Sequence, residues 1–427
     1  MKLLYLTAGA AEMYCGSCLR DNALATALMQ RGHDVVLMPI YTPTTTDEKN
    51  VSSTKVFFGG VSVYLEQNIP LFRYTPAFLD RLWDSEFVLK LAAKRQIKVD
   101  PAFLGAMTVS MMKGTAGHQR KEVDKLVRWL QHESRFDLIS LPFALLISLA
   151  RPIRDALGCP VVCTLQGEDL FLDQLREPWK SEAMALIRAA VPDVDRFIAV
   201  SDYYARYMVQ YLGIPPEKIS VVPLGINLDG HAPAPLRSEP PYTIGYFARI
   251  APEKGFHVLC EAYHLLRKRA GVPPTRLVAG GYLLEEHREY FDSCRQRLQD
   301  WGVGDEFTYA GSPDRAGKIG LLHSFDVFSV PTTYADPKGL FLLEAMANGR
   351  PIVAPAHGAF PEIVERTGGV LVRPDDAHAL ADALHRLVVD RAQAAAHGAA
   401  AAEGVRARYT VAQAAETAER VYQEVLP

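Results

Sequence analysis

The sequence predicts an α/β protein built from two doubly wound, Rossmann-like domains that face each other across a cleft. Three observations support this fold class. The chain has 427 residues, which is too long for one ordinary core. Apolar strand-like segments alternate with helical segments in two separate series, as in parallel sheets covered on both faces. Between the series, residues 231–241 hold four prolines in eleven residues, which is typical of a linker.

The first series predicts a domain over residues 1–230. Residues 2–7 and 34–40 are its first two strands, and the helix between them ends at Gly32. Further strands are predicted in "FDLISL", "CPVVCTL", "RFIAVS" and "KISVVPL". Residues 57–121 lack this rhythm and predict a helical insertion. Within it, residues 76–98 mix apolar with basic side chains, so a helix packed on its own domain and a helix on a membrane surface both remain open.

The second series predicts a domain over residues 242–404. It begins with the strand "YTIGYFAR" and the helix "EKGFHVLCEAYHLLRKRAG", and it continues through "TRLVAGG", "EFTYAG" and "DVFSVPT". The helix "FLLEAMANG", two more strands and the helix "DAHALADALHRLVVD" complete it. Residues 405–427 predict a C-terminal helix.

Composition excludes several classes of protein. The net charge of −3 gives no general attraction to nucleic acid. Six cysteines in a chain of this length do not form a disulfide scaffold, which favours a reducing cytoplasm. The longest apolar stretch, residues 138–150, is too short for a bilayer and contains Pro142, so we expect no transmembrane segment.

Two cations lie where the second domain's first strand gives way to a helix. Arg249 lies just past the strand end, and Lys254 opens the helix, with Gly255 allowing a tight start. Ligands of doubly wound sheets bind at the carboxyl ends of the strands, against helix N-termini. Two cations at this place predict a diphosphate site. The alternative is two solvated charges on a surface loop.

Two acids flank a second helix start in the same domain. Asp336 and Glu344 are separated by seven residues, with Gly339 and Leu340 at the predicted helix start between them. A carboxylate accepts two hydroxyl hydrogen bonds, which suits a ribose or hexose diol. Free backbone N–H groups at a helix start hold a phosphate or a hydroxyl. An exposed acid pair beside a helix start is the alternative.

With these motifs, the chain resembles the family 4 glycosyltransferases, which are retaining enzymes of the two-domain GT-B type. The resemblance covers nearly the whole chain and rests on motifs in the family's order and spacing: "RGHDV", "TLQGED", "VVPLGINLD", "FARIAPEKGF" and "DPKGLFLLEAM". It implies a nucleoside-diphosphate sugar as donor, with a UDP-sugar expected. It also implies no cofactor and no metal, because basic side chains act on the diphosphate.

The resemblance assigns roles to individual residues. Arg249 and Lys254 correspond to the basic pair that grips the donor diphosphate and stabilises the leaving group. Asp336 corresponds to the acid near the sugar hydroxyls, and Glu344 to the acid that binds the ribose. These four residues are candidate catalytic or donor-binding residues.

The resemblance also identifies backbone contacts to the donor. Gly339 and Leu340 match residues whose backbone N–H groups donate hydrogen bonds to the phosphate and the sugar. Gly16 matches the second glycine of the loop after the first strand. Cys15 then replaces the first glycine of that loop. Cys15 is therefore interpreted as part of a backbone loop and Cys18 as part of the helix that follows, and the two are not interpreted as a redox or zinc pair.

Three side chains depart from the family pattern. Asp336 is one methylene shorter than the usual Glu, and Lys338 replaces an aromatic residue and adds a positive charge beside the predicted diphosphate. Gln166 stands where the family places a histidine near the reacting carbon. Gln forms hydrogen bonds with a sugar hydroxyl but is no general base. The leaving phosphate would then take the acceptor's proton, and Gln166 is predicted as a catalytic residue.

The first domain is predicted to bind the acceptor. Glu168, Asp169 and His118 are candidate acceptor-binding residues. The acceptor is expected to be a small molecule, a glycan or a lipid-linked molecule. The predicted location is the cytoplasm, with the inner membrane surface and peripheral membrane contact as an open alternative.

Two alternatives to a hexosyltransferase remain at this point. A sugar phosphorylase or a sugar-nucleotide epimerase would reuse the same anion site. A catalytically degenerate sugar-nucleotide-binding subunit would explain the substitutions at Gln166 and Asp336.

Overall fold

A computed structural model describes residues 1–9, 16–53, 56–58, 63, 66–67, 72–73, 101–133 and 135–427. The chain forms two compact units. Unit 1 comprises Met1–Pro223 together with Ala415–Pro427, and unit 2 comprises Leu224–Ala414.

Unit 1 contains a parallel sheet of six strands in the order β2-β1-β3-β4-β5-β6. Its strands are β1 (Lys2–Thr7), β2 (Asp34–Pro39), β3 (Leu138–Leu141), β4 (Val161–Leu165), β5 (Arg196–Ala199) and β6 (Ile219–Val221). Its helices are α1 (Gly16–Gln30), α2 (Pro101–Met112), α3 (Arg120–His132), α4 (Ala150–Leu157), α5 (Asp169–Gln174), α6 (Trp179–Ala190) and α7 (Asp202–Leu212). All residues of β3 and β4 are buried, as expected for strands covered on both faces.

Unit 2 contains a second parallel sheet of four strands in the order β10-β7-β8-β9. Strands β11 and β12 pair separately, and a parallel bridge between Phe328 and Ile352 links β10 to the start of β11. The strands are β7 (Tyr242–Phe247), β8 (Thr275–Gly280), β9 (Phe307–Tyr309), β10 (Val327–Phe328), β11 (Val353–Pro355) and β12 (Val370–Val372). The helices of this unit are α8 (Phe256–Arg267), α9 (Arg288–Asp300), α10 (Arg315–His323), α11 (Leu340–Ala347), α12 (Phe360–Thr367), α13 (Ala377–Val389) and α14 (Arg391–Arg408).

The predicted domain boundaries require correction. The division falls between Pro223 and Leu224, so the predicted linker 231–241 belongs to unit 2. This proline-rich segment is anchored because the buried Arg350 donates to the carbonyl of Ala234, and Asp326 accepts from the N–H of Arg237 at 3.0 Å. The segment therefore packs on the second core as part of that unit.

Residues 405–427, which were expected to form one C-terminal helix, are divided between two helices. Helix α14 belongs to unit 2, whereas α15 (Val411–Val425) returns to unit 1 for most of its length. There Tyr422 is buried against Tyr5 of β1, and their hydroxyls are hydrogen-bonded. Glu419 forms an ion pair with Arg31 just after α1. The chain end thus completes the first core.

Much of the predicted insertion, including the amphipathic segment 76–98, lies outside the described residues. Cys15, in the loop after β1, also lies outside them. The described part of the insertion is largely helical, in α2 and the start of α3. Among the described helices, none combines the length and the apolar character that crossing a bilayer requires.

Candidate functional site

The side chain of Asp336 caps the turn that leads into α11. Its Oδ1 accepts hydrogen bonds from the N–H groups of Lys338, at 2.8 Å, and Gly339, at 3.1 Å. Gly339 precedes the helix with a φ of 66°, a left-handed conformation that glycine adopts without strain. Because the N–H of Gly339 bonds to Asp336, the N–H of Leu340 is the remaining candidate for the predicted backbone contact to a phosphate.

The second carboxylate oxygen of Asp336 holds Lys254. The Lys254 Nζ lies 2.6 Å from Asp336 Oδ2 and 3.1 Å from the hydroxyl of Tyr334. That hydroxyl donates to the same Oδ2 at 3.0 Å, which closes a three-membered network. The ammonium also lies over the rings of Tyr334 and Phe341, at 4.8 Å and 5.3 Å from their centroids. The cation is therefore fixed in position beside the start of α11.

This network sets the charge state of Asp336. The side chain of Asp336 is only 2% exposed. Burial alone would raise the pKa of this carboxyl, but the charge and hydrogen bond of Lys254 and the N–H of Lys338 outweigh it and hold the pKa well below its ordinary value. Both carboxylate oxygens of Asp336 thus accept hydrogen bonds from protein groups.

A close backbone approach brings Lys254 to Asp336. Gly255 has a φ of 69°, and a Cβ at this position would lie 1.7 Å from the carbonyl oxygen of Pro331. The N–H of Thr333 donates to the carbonyl of Glu253 at 3.0 Å across the same contact. Only glycine fits here, so "EKG" and "PTTYAD" form one structural unit although they are distant in sequence.

Arg249 lies in the loop after β7 and is more accessible than Lys254. Its side chain is 40% exposed and forms an ion pair with Glu253, which lies one residue before Lys254. The carbonyl of Arg249 accepts a hydrogen bond from the buried Tyr246 at 3.2 Å. The two predicted cations therefore differ: Lys254 is anchored by a buried acid, whereas the more exposed Arg249 is paired with the partly exposed Glu253.

Glu344 lies on α11 and is paired with a lysine that the sequence analysis missed. The Nζ of Lys318 on α10 lies 2.6 Å from Glu344 Oε1, and the two side chains are 7% and 12% exposed. The sequence offers only the four-residue spacing of Lys318 and the apolar Leu322, which places both on one side of α10, and the structure shows that this side is buried. A lysine on the buried side of a helix requires a carboxylate partner.

Gln166 follows β4 in unit 1, in the position that the sequence analysis predicted. Its Nε2 donates to the carbonyl of Pro142 at 2.8 Å, and the residue is 4% exposed. Among the described residues, its buried Oε1 has no hydrogen-bond partner. Anchoring of the amide nitrogen leaves this oxygen as an acceptor for a substrate hydroxyl.

Glu168 supports the same loop from inside. Its carboxylate accepts from the N–H groups of Ala144, at 3.0 Å, and Gln166, at 2.8 Å, and from the hydroxyl of Tyr204, at 3.2 Å. Burial raises the pKa of Glu168, and the backbone donors partly oppose that rise. Its oxygens are thus bound to protein groups that shape the loop, and its role in acceptor binding stays a prediction.

The other predicted residues of unit 1 are placed as follows. Asp169 begins α5 and accepts a hydrogen bond of 2.6 Å from Tyr204, so it too is bound within the unit. His118 is exposed between α2 and α3, with Nδ1 3.2 Å from Gln67 Oε1. Gly16 is the first residue of α1, and Cys18 on that helix is buried.

No group of three or more potential metal-binding side chains of His, Cys, Asp or Glu occurs among the residues that the structure describes. In unit 2, the two acids that were predicted as site residues each form an ion pair with a lysine. These pairs are Lys254 with Asp336 and Lys318 with Glu344.

Two models of known families match the chain. Residues 231–404 match the model for glycosyl transferases group 1, and residues 111–229 match the model for glycosyltransferase family 4. This chain belongs to glycosyltransferase family 4. The matches span both units and confirm the resemblance that the motifs predicted.

Two curated relatives of this family 4 chain come from mycobacteria. Phosphatidyl-myo-inositol mannosyltransferase of Mycobacterium leprae is 33% identical over 53% of this chain and 59% of the relative. GDP-mannose-dependent alpha-(1-6)-phosphatidylinositol monomannoside mannosyltransferase of Mycobacterium tuberculosis is 29% identical over 53% of this chain and 61% of the relative. The chain thus spans less than two thirds of the length of these relatives.

A solved structure extends the comparison to nearly the full chain. Sucrose-phosphate synthase from Thermosynechococcus elongatus has a TM-score of 0.72 at 19% identity, covering 99% of this chain and 98% of that chain. At this identity the likeness concerns the fold alone. It confirms the predicted class of two Rossmann-like domains of the GT-B type.

Proposed function

We propose that this family 4 chain transfers a hexose from a nucleoside-diphosphate sugar to an acceptor hydroxyl, with retention of the anomeric configuration. The observation that carries the proposal is the fixed cation of Lys254 at the start of α11, 2.6 Å from the buried Asp336. An ammonium has three N–H donors, and Asp336 and Tyr334 accept two of them. The third serves a diphosphate oxygen.

The proposed chemistry places charge where this cation lies. When the bond between the anomeric carbon and the phosphate oxygen breaks, the leaving nucleoside diphosphate gains negative charge. Cations fixed beforehand stabilise that charge more in the transition state than in the ground state. Lys254 and Arg249 would supply this stabilisation without a metal, and Arg249 would exchange its pair with Glu253 for the diphosphate.

The acceptor step uses unit 1 and the leaving group. A bond forms between the acceptor oxygen and the anomeric carbon, on the face from which the phosphate departs. The acceptor's proton passes to the leaving phosphate oxygen, because the amide of Gln166 takes up no proton. The unpartnered Oε1 of Gln166 would instead accept a hydrogen bond from a sugar hydroxyl and fix the sugar ring.

The donor base and the acceptor are the finer parts of the proposal. The sequence analysis expected a UDP-sugar, whereas the Mycobacterium tuberculosis relative is named for GDP-mannose. Both named relatives act on phosphatidylinositol derivatives, which supports a lipid-linked acceptor at a membrane surface. We therefore propose a UDP-hexose or a GDP-hexose as the donor. An inositol-containing lipid is the first acceptor to test.

The test begins with binding and ends with product. Thermal shift and calorimetry with UDP, GDP, ADP and their hexose conjugates should yield one nucleotide that raises the melting temperature, because a ligand of the native state stabilises it. Turnover with that donor should persist in excess EDTA, and NMR should show an α-glycoside from an α-linked donor. Lys254→Ala should weaken binding, while replacement of Lys268, an exposed lysine just after α8, by Ala should leave binding unchanged.

The same reactions separate the alternatives. Inorganic phosphate as the sole productive acceptor would identify a phosphorylase, and an altered sugar without acceptor would identify an epimerase. Tight donor binding with no nucleotide release, in the presence of water and of an acceptor panel, would identify a binding subunit. If none of the nucleotides binds, the proposal fails.

A further inference from the structure

The geometry points to Lys318 as a positioning residue for the donor nucleotide. It would hold and neutralise the Glu344 carboxylate so that this group receives the ribose hydroxyls beside a negatively charged diphosphate. The inference rests on the proposed function and extends it to a residue on a different helix, which no motif of the sequence marks.

The ion pair is short and largely removed from water. Lys318 Nζ and Glu344 Oε1 are 2.6 Å apart, with 7% and 12% of their side chains exposed. Few water molecules therefore screen this pair, in contrast to the exposed pair of Arg249 and Glu253. An unpaired carboxylate at this depth would be costly.

Both partners are fixed at the backbone. The N–H of Lys318 donates to the carbonyl of Asp314 at 2.7 Å, and the Asp314 side chain caps α10 by accepting from Gly317 at 2.9 Å. On α11, the carbonyl of Glu344 accepts from the side chain of Asn348 at 2.8 Å. The Lys318 bond therefore holds a carboxylate whose backbone is already fixed, and it sets the direction of the second oxygen.

Electrostatics give the pair a role beyond joining two helices. A bound nucleoside diphosphate brings negative charge into unit 2, and a bare Glu344 carboxylate would repel it. Lys318 offsets that charge through its ion pair, and the second carboxylate oxygen accepts hydrogen bonds from hydroxyls. Lys318 would thus act on the ribose through Glu344 without touching the reacting atoms.

The test compares a nucleoside diphosphate with its 2′,3′-dideoxy analogue by calorimetry, using the base that binds best. The wild-type protein should bind the ribonucleotide about tenfold tighter or more, because hydrogen bonds to a charged group are stronger than neutral ones. In Lys318→Met this preference should fall below about threefold, with the Kd of the dideoxy analogue nearly unchanged. KM for the donor should rise while kcat changes little.

The controls separate positioning from folding. Lys268→Met removes an exposed lysine and should keep the full preference. Lys318→Gln retains a hydrogen-bond donor without the charge, and it replaces Lys318→Met in the comparison if the latter does not fold. A ribose preference that remains at the wild-type value in the folded variant overturns the inference and leaves the proposed function intact. Failure of every nucleotide to bind the wild-type protein overturns both.

Discussion

The loops that carry the candidate residues of the two units use carboxylates in opposite ways. In unit 2, the buried Asp336 and the partly buried Glu344 each bind a lysine, and the side chain of Lys254 remains 13% exposed beside the start of α11. In unit 1, the buried Glu168 binds backbone N–H groups and a tyrosine, and the buried amide oxygen of Gln166 has no hydrogen-bond partner among the described residues.

This difference follows from what each loop would have to recognise. A diphosphate is an anion, so unit 2 needs cations whose positions are fixed, and buried acids fix them at the cost of desolvation. A sugar hydroxyl is neutral and is oriented by a hydrogen bond, so unit 1 needs an acceptor of fixed direction. The comparison therefore predicts that charge removal damages unit 2 far more than amide removal damages unit 1.

The largest effect is expected from removal of the anchored cation. Lys254→Ala should lower kcat by about 100- to 1,000-fold, the range found when a fixed electrostatic donor is lost. It should also reduce the free energy of unfolding by about 3 kcal/mol, because Asp336 is left buried without its cation. Steady-state rates and urea melts measure the two effects.

Arg249→Ala is the matched comparison for that variant. It should also lose turnover, yet it should change the free energy of unfolding by less than about 1 kcal/mol, since its pair with Glu253 is exposed. Normal rates in both variants would remove the assignment of the diphosphate site to unit 2. Equal loss of stability in both would contradict the distinction between the anchored and the exchangeable cation.

A smaller loss of turnover is expected when the backbone contact between Gly255 and Pro331, which positions Lys254, is altered. Gly255→Ala places a Cβ 1.7 Å from the carbonyl oxygen of Pro331, so the segment must shift and separate Lys254 from Asp336. We expect about 30-fold loss of turnover, less than removal of the side chain, because the lysine is displaced but present.

Gly271→Ala controls for backbone strain in the same unit. Gly271 also has a positive φ, of 77°, but a Cβ there meets nothing within 4 Å. It should cost about 1–2 kcal/mol of stability from the left-handed conformation alone and leave kcat unchanged. If both variants lose turnover equally, the contact between "EKG" and Pro331 does not position the cation.

The sequence predicted the parts of this site that depend on local pattern. Alternating apolar strands and helices predicted both sheets, and the "DPKGL" turn placed Gly339 just before α11. Contacts between distant segments could not be predicted in the same way. The pairing of Lys254 with Asp336 depends on a backbone approach at Gly255, and that of Lys318 with Glu344 depends on how α10 packs beside α11.

What sequence reasoning missed has the same physical origin. The proline-rich segment 231–241 looked like a linker because its composition is polar and irregular, yet Arg350, buried in the second core, holds it at Ala234. Glu168 was predicted to bind the acceptor because it follows a strand end, and its bonds to the N–H groups of Ala144 and Gln166 could not be read from that position. Burial decides both cases, and burial is a property of the folded chain.

The smallest effect is expected in unit 1, at Gln166. Gln166→Ala removes one hydrogen-bond acceptor and the bond to Pro142, so kcat should fall about five- to tenfold while the Kd of the donor nucleotide is nearly kept. Glu168→Ala gives the contrast, since it leaves the N–H groups of Ala144 and Gln166 without their acceptor and should lower the melting temperature more than Gln166→Ala does. An unchanged kcat in Gln166→Ala would show that the free amide oxygen does not touch the sugar. A loss as large as that of Lys254→Ala would show instead that unit 1 contributes to the reacting centre as strongly as the charged site of unit 2, and the contrast between the two units would then not hold.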